Sequence, residues 1–181
     1  MVSYISDAGW NVLDVYDLDS ASLTLQFVAP PESTVMYEWL GADARLFESH
    51  AVAYNSHHWS MDPDRFNTDK GLASVFRLTA ISHMPDGRPI VASIESDTYP
   101  FFGTQYHPEK PAALANPATQ ANHTWVSINL NQNLAERFVY ETRANQRRLG
   151  SFEEVQAQII ENEKLIVTTE FYEAVYVFEE F

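Results

Sequence analysis

A short aromatic run with a glycine inside it, stopped by a proline, constrains this chain more than any other stretch. Residues 99–110 read Tyr-Pro-Phe-Phe-Gly-Thr-Gln-Tyr-His-Pro-Glu-Lys. The apolar part predicts a buried strand. Pro108 has no N–H to give to a sheet and its φ is fixed, so the strand must stop there and the step from His107 to Glu109 is stiff. In α/β sheets, functional groups collect just past the carboxyl ends of strands. His107 falls at such an end, and a carboxylate two residues on can turn back to hold one ring nitrogen while the other serves as a base.

The rest of the pattern builds toward this stretch. Residues 74–84 and 89–96 flank Pro85-Asp86-Gly87-Arg88, and an Asp-Gly pair between two apolar runs predicts a hairpin. Residues 11–18 and 23–28 predict two strands separated by an acidic, serine-rich turn. Ser33 is the predicted N-cap of a short helix ended by Gly41, and residues 43–49 read as another helical piece. A brief apolar segment over 51–54 delivers the chain to Asn55-Ser56-His57-His58-Trp59-Ser60, which predicts a polar loop beside a pocket. Asp62-Pro63-Asp64 marks a helix start. Residues 111–120, rich in proline and alanine, predict a surface excursion. Val126, Leu130, Leu134 and Phe138, widened by Ala135 and Val139, predict a helix over 123–146 that Gly150 stops. Ser151-Phe152-Glu153-Glu154 predicts a capped short helix, and residues 174–178 a last strand, with Tyr172, Tyr176 and Phe178 as its packing aromatics. This is an α/β pattern, and 181 residues hold one core comfortably but not two, so a single domain over 1–181 is expected.

Composition narrows the function. A formal charge of -14 excludes sequence-independent nucleic-acid binding, which needs a basic footprint. No apolar run reaches the ~20 residues needed to span a bilayer, so membrane insertion is not expected. The start, Met1-Val-Ser-Tyr-Ile-Ser-Asp, has neither the basic region nor the apolar core of a secretory signal. The chain has no cysteine, so it brings no thiol nucleophile and no thiolate metal site. Neighbouring His57 and His58 point apart on an extended backbone and no helical His-x-x-x-His pair exists, so neither a metal nor a cofactor is expected. Asn122-His123-Thr124 is a glycosylation sequon at a predicted loop-to-helix junction.

Gly103-Thr-Gln-Tyr-His107-Pro108-Glu109-Lys110 resembles the His-Pro-Glu segment of class I glutamine amidotransferase-like hydrolases, in which a histidine and a glutamate complete a Cys-His-Glu triad. Phe101-Phe102-Gly103 before it, Lys110-Pro111 after it and Asn55-Ser56-His57-His58-Trp59-Ser60 upstream resemble the γ-glutamyl hydrolases, peptidases that trim poly-γ-glutamate from folates. The resemblance covers the second half of that family's usual length. It implies a flavodoxin-like three-layer sandwich represented by its C-terminal half, with the nucleophile elbow on a separate N-terminal polypeptide. It also implies a cysteine-type peptidase that this chain alone cannot run. By the same resemblance His107 and Glu109 are catalytic, His57 assists, and Asn55, His58, Trp59 and Lys110 bind substrate. His58 stands where the family usually has lysine. An anionic polyglutamate would need local positive charge, from Arg45, Lys110 or the histidines. The resemblance further implies a lysosomal, vacuolar or secreted glycoprotein carrying sugar at Asn122. A half-fold exposes apolar sheet, so association with the nucleophile-bearing chain, or self-association, is expected. The main alternative is a non-catalytic scaffold subunit that keeps the fold without the nucleophile; a glutaminase module feeding a synthetase is a third option.

Overall fold

The Asp86-Gly87 pair turns the chain as its chemistry requires. Gly87 takes φ 86°, in the left-handed region that a side chain disfavours, and the Met84 and Arg88 backbones close the turn. The computed structural model describes residues 1–113, 116, 118–167 and 174–178. The chain divides into two compact units, Met1–Arg143 and Ala144–Phe181.

In the first unit, α1 (Val2–Ile5) and a 3-10 turn (Gly9–Val12) lead into β1 (Asp14–Leu23) and the short β2 (Gln26–Phe27). Two 3-10 segments (Pro31–Ser33 and Glu38–Arg45) and α2 (Leu46–Ser49) precede β3 (Ala53–Ser60). Helices α3 (Pro63–Thr68) and α4 (Lys70–Ala73) lead to β4 (Arg77–His83), β5 (Pro89–Glu95) and β6 (Phe102–Thr104). Helices α5 (Lys110–Ala113) and α6 (Trp125–Arg143) complete the unit. Strands β2, β4, β5 and β6 form one antiparallel sheet in that order, and β1 pairs antiparallel with β3. The mixed α/β class is thus observed.

The main core gathers Tyr37, Phe47, Val52, Ala80, Ala92, Tyr106, Leu130 and Leu134. A second cluster joins Val12, Met61, Phe66, Leu72, Phe76, Val91 and Ile94, and a third Tyr16, Leu18, Met84 and Ile90. Along α6 the predicted stripe is buried at Leu130 and Leu134 and then opens, leaving Phe138, Val139 and Ala135 exposed. Asn131 ties this helix to the entry of β3 by donating to the Val52 carbonyl at 3.0 Å.

Several local expectations are corrected. Residues 55–60 are strand, not loop, because β1 pairs with them from Asp14↔Ser60 to Ala21↔Asn55 and satisfies their backbone groups. The predicted turn over 17–22 is therefore inside β1, where two irregularities and a left-handed Ser20 (φ 48°) absorb the acidic, serine-rich segment. Ser33 lies within a 3-10 turn begun by Pro31 and donates to the Pro30 carbonyl; Thr34 instead accepts the Tyr37 N–H. Gly41 interrupts the next segment at φ 53° rather than ending it. Strand β6 is only three residues long. Helix α6 ends at Arg143, well before Gly150, because the Asn145 side chain accepts the Arg147 N–H and offers the backbone an alternative to the helix.

The Asp62 cap is as expected: its carboxylate accepts the N–H groups of Asp64 and Arg65. Asp69 is a second cap. It accepts from Leu72 N–H at 2.9 Å and from Ser6 Oγ and the Asp7 and Ala8 N–H groups, fastening the N-terminal segment to α4. Burial opposes its ionisation, but these four donors outweigh burial and bring its pKa from 3.8 down to about 2. A carboxylate with a depressed folded pKa contributes stability above its unfolded value and loses it as pH falls through the folded one. Asp69→Asn should therefore cost about 1–2 kcal/mol at neutral pH. Urea melts at pH 7 and near pH 2 should show parent and variant converging on acidification; parallel curves would contradict this assignment.

In the second unit, α7 (Phe152–Gln156) carries the predicted capping box between Ser151 and Glu154. A 3-10 turn (Ile160–Asn162) leads to β7 (Lys164–Val167), unforeseen in the sequence, which pairs antiparallel with β8 (Ala174–Val177). Tyr176 lies in β8 opposite Leu165, whereas Phe178 follows the strand and is exposed. Tyr172 lies outside the described residues, as does part of the predicted excursion at 111–120.

Candidate functional site

The segment leaving β6 is pinned on both sides of its histidine. Tyr106 is buried in the main core, and its hydroxyl meets that of Tyr37 at 3.0 Å. Burial raises the pKa of both phenols, that of Tyr37 to about 12, so the pair is a neutral, mutually satisfied peg. One residue later the His107 N–H donates to the Tyr54 carbonyl on β3 at 2.7 Å. The Lys110 N–H returns to the His107 carbonyl at 3.3 Å, and α5 starts there. The segment after β6, which ends at Thr104 rather than at the histidine as expected, is thus pinned at Tyr106 and His107 and stiffened by Pro108, and it sets the imidazole at a fixed place on the surface of the unit.

The imidazole Nδ1 lies 3.1 Å from Glu109 Oε1. A carboxylate accepts, so Nδ1 carries the proton, and Nε2 makes no hydrogen bond among the described residues. Both side chains are substantially solvent-exposed, so the pair adds only about 0–1 kcal/mol to stability. Its effect is orientation: it fixes one tautomer and presents a free lone pair outward.

His57 comes to the same place from β3. Asn55, which is buried, donates from Nδ2 to the Ala53 carbonyl at 2.9 Å, and its Oδ1 faces His57 Nε2 at 3.3 Å. That arrangement assigns the proton to Nε2 and leaves Nδ1 buried without a hydrogen-bond partner among the described residues. Burial lowers the His57 pKa, and a positive charge on His107 lowers it further, while the Tyr16 backbone opposes them. His57 is accordingly uncharged at neutral pH. Because its unfolded value of about 6.5 lies above its folded one, the stability it contributes is present at neutral pH. That contribution falls as pH drops below about 6.5. Thermal melts should therefore show the parent losing more stability than His57→Gln between pH 7.5 and 5; equal losses would contradict the burial account.

The remaining expected site residues fall at several places around these two histidines. His58, next to His57 on the strand, is exposed on the opposite side and pairs with Asp17 on β1. Trp59 is exposed and sits opposite Val15. Asn55 serves the His57 ring and is 1% exposed, which places it behind the histidine. Lys110 begins α5 next to Glu109, but Arg45 is engaged by Glu48 and lies over the Phe27 ring. Asn122 donates to the Ala51 carbonyl and accepts from Thr124 at the start of α6.

Beside the pair lies an apolar cavity of about 470 Å³. Pro108 and Glu109 form one rim, and Phe102, Leu134 and Phe138 form the walls. The Phe102 and Phe138 rings meet edge-to-face at 6.1 Å. Sequence reasoning found the histidines but missed Tyr54 and Tyr106, each of which directly precedes a residue it singled out. An aromatic ring directly before a polar candidate residue was the available signal.

No family model matches the sequence. Curated relatives do. The chain is 26% identical over 166 residues to "Probable gamma-glutamyl hydrolase 3" of Arabidopsis thaliana, covering 91% of this chain and 47% of that protein. It is 24% identical over 154 residues to "Gamma-glutamyl hydrolase B" of Dictyostelium discoideum, covering 84% and 44% respectively. With "Gamma-glutamyl hydrolase" of Mus musculus it shares 26% over 157 residues, covering 84% and 48%. The resemblance read from the His-Pro-Glu wording thus extends over most of the chain. The chain spans about half the length of the curated relatives it matches.

Proposed function

We propose, from this likeness to γ-glutamyl hydrolases, that the chain supplies the acid–base half of a γ-glutamyl peptidase acting on folyl-poly-γ-glutamate-type substrates. The observation that carries the reading is the Nδ1-protonated His107, held by Glu109 with Nε2 open. The nucleophile is a cysteine from outside these 181 residues, on an elbow supplied by an N-terminal polypeptide. In this reading the chain is the C-terminal half of a class I amidotransferase-like, three-layer α/β fold.

The steps balance with no cofactor. His107 Nε2 takes the thiol proton, and the thiolate attacks the γ-glutamyl carbonyl. The imidazolium, stabilised by Glu109, then protonates the departing amine nitrogen as the C–N bond breaks. Water hydrolyses the thioester with His107 again as base, which regenerates the thiol. His57, neutral and adjacent, assists in placing the substrate. Lys110 and Trp59 are the remaining candidates for contacts with the γ-linked chain. A glycan at Asn122 and a lysosomal, vacuolar or secreted location accompany this reading.

Glutamate release from a γ-linked oligoglutamyl peptide by the native assembly tests the proposal. Release that depends on both this chain and a cysteine-bearing partner supports it; an assembly that binds the peptide but releases nothing overturns it. The absence of cysteine favours the second reading, a scaffold subunit without catalysis. A partner lacking a Gly-x-Cys-x-Gly turn would select that reading.

A further inference from the structure

We propose that Tyr54 is a positioning residue for His107, bracing the imidazole from the side while Glu109 holds Nδ1. Three contacts converge. The Tyr54 carbonyl accepts the His107 N–H at 2.7 Å, fixing the backbone from which the ring projects. The phenol ring lies 6.3 Å from the imidazole, centroid to centroid, with the planes tilted by 49°. The Tyr54 hydroxyl donates to Ser20 Oγ at 3.2 Å, and that same oxygen accepts the Gln120 N–H at 2.7 Å.

The third contact shows that the ring is held rather than merely packed. Tyr54 is 4% exposed yet belongs to none of the three apolar clusters. Ser20, its anchor, is the only non-glycine residue with positive φ among the described residues. That conformation is disfavoured for a side chain and persists only where neighbours fix it. Here it turns the Ser20 hydroxyl to receive both Tyr54 and Gln120, within an irregularity that breaks the β1–β3 register. Glu109 selects the tautomer, but its carboxylate is exposed to water, so a second contact that keeps the ring within its reach strengthens that preference. An imidazole gripped at one nitrogen can still swing about that bond; a tilted ring packed beside it restricts the swing.

The inference rests on the proposed base role of His107 only for its functional meaning, and its test needs no catalysis. Nitrogen-15 NMR of histidine-labelled protein at a pH of about 8.5, where imidazole is neutral, reads the ratio of Nδ1–H to Nε2–H tautomers at His107. His83 on β4 serves as internal reference. Tyr54→Leu, which keeps apolar bulk but removes the ring, should lower that ratio by about five-fold, the change expected from losing one aromatic contact. Tyr54→Phe keeps the ring and removes only the bond to Ser20, and should lower it by about two-fold. Folded variants that leave the ratio at the parent value overturn the proposal, and if only Tyr54→Phe folds, its ratio decides alone. An unchanged ratio leaves the hydrolase reading standing. A shifted ratio in a native assembly that releases no glutamate removes the hydrolase reading and leaves the bracing role of Tyr54 intact.

Discussion

Replacing His107 with glutamine is expected to lower kcat/KM of the assembled enzyme for a γ-glutamyl peptide by about 10³-fold, with KM little changed. Under the proposed mechanism the loss falls on kcat, because there the imidazole works on protons in flight, taking one from the thiol and returning it to the leaving amine. Neither transfer contributes to holding the substrate beforehand. Glutamine keeps the bulk and can still donate to Glu109 Oε1, so the turn at Pro108 and the start of α5 should be undisturbed. The variant cannot accept and return a proton near neutral pH. Steady-state kinetics with circular dichroism as a folding control check this. A loss below ten-fold in a folded, assembled variant would mean that His107 is not the base.

Phe47→Ala is expected to be the most damaging single change to the fold, costing about 3–5 kcal/mol. The side chain is fully buried on α2. Its ring packs edge-on to Tyr37 at 5.7 Å and tilted against Tyr106 at 6.4 Å. Its removal leaves a void among elements that also hold β2 and α6, and the surrounding rings can only partly collapse into it. The void also lies beside Tyr106, the peg directly before His107. A fall in melting temperature of about 10 °C or more should result. Phe138→Ala offers the contrast, since that ring is 55% exposed and should cost about 1 kcal/mol or less. Equal costs for the two variants would show that the core is misassigned.

What could be read from the residues follows how local the physics is. The Asp86-Gly87 turn, the Asp62 cap, the Ser151–Glu154 box and the middle of α6 depend on neighbours within a few positions, and the structure has all four. The reach of Glu109 back to His107 was legible for the same reason. Residues 55–60 looked like loop because their composition is polar; what makes them a strand is β1, some forty positions earlier, which no short-range pattern encodes. The same pairing makes the serine-rich stretch over 17–22, whose composition predicts a turn, part of β1. Strand β7 escaped because Leu165, Ile166 and Val167 form a run too short to separate strand from helix. The bracing of His107 by Tyr54, and of Tyr54 by Ser20, joins residues 53 and 34 positions apart. The position of His58 on the face opposite His57 follows from the alternation of a strand that the sequence did not disclose.

The central claim is that His107, oriented through Nδ1, faces a thiol contributed from outside these residues. A structure of the native assembly measures this as the distance from His107 Nε2 to the nearest cysteine Sγ. The account predicts about 3–4 Å, close enough for proton transfer. A nearest sulfur beyond about 7 Å, or a partner with no cysteine facing this imidazole, would contradict it.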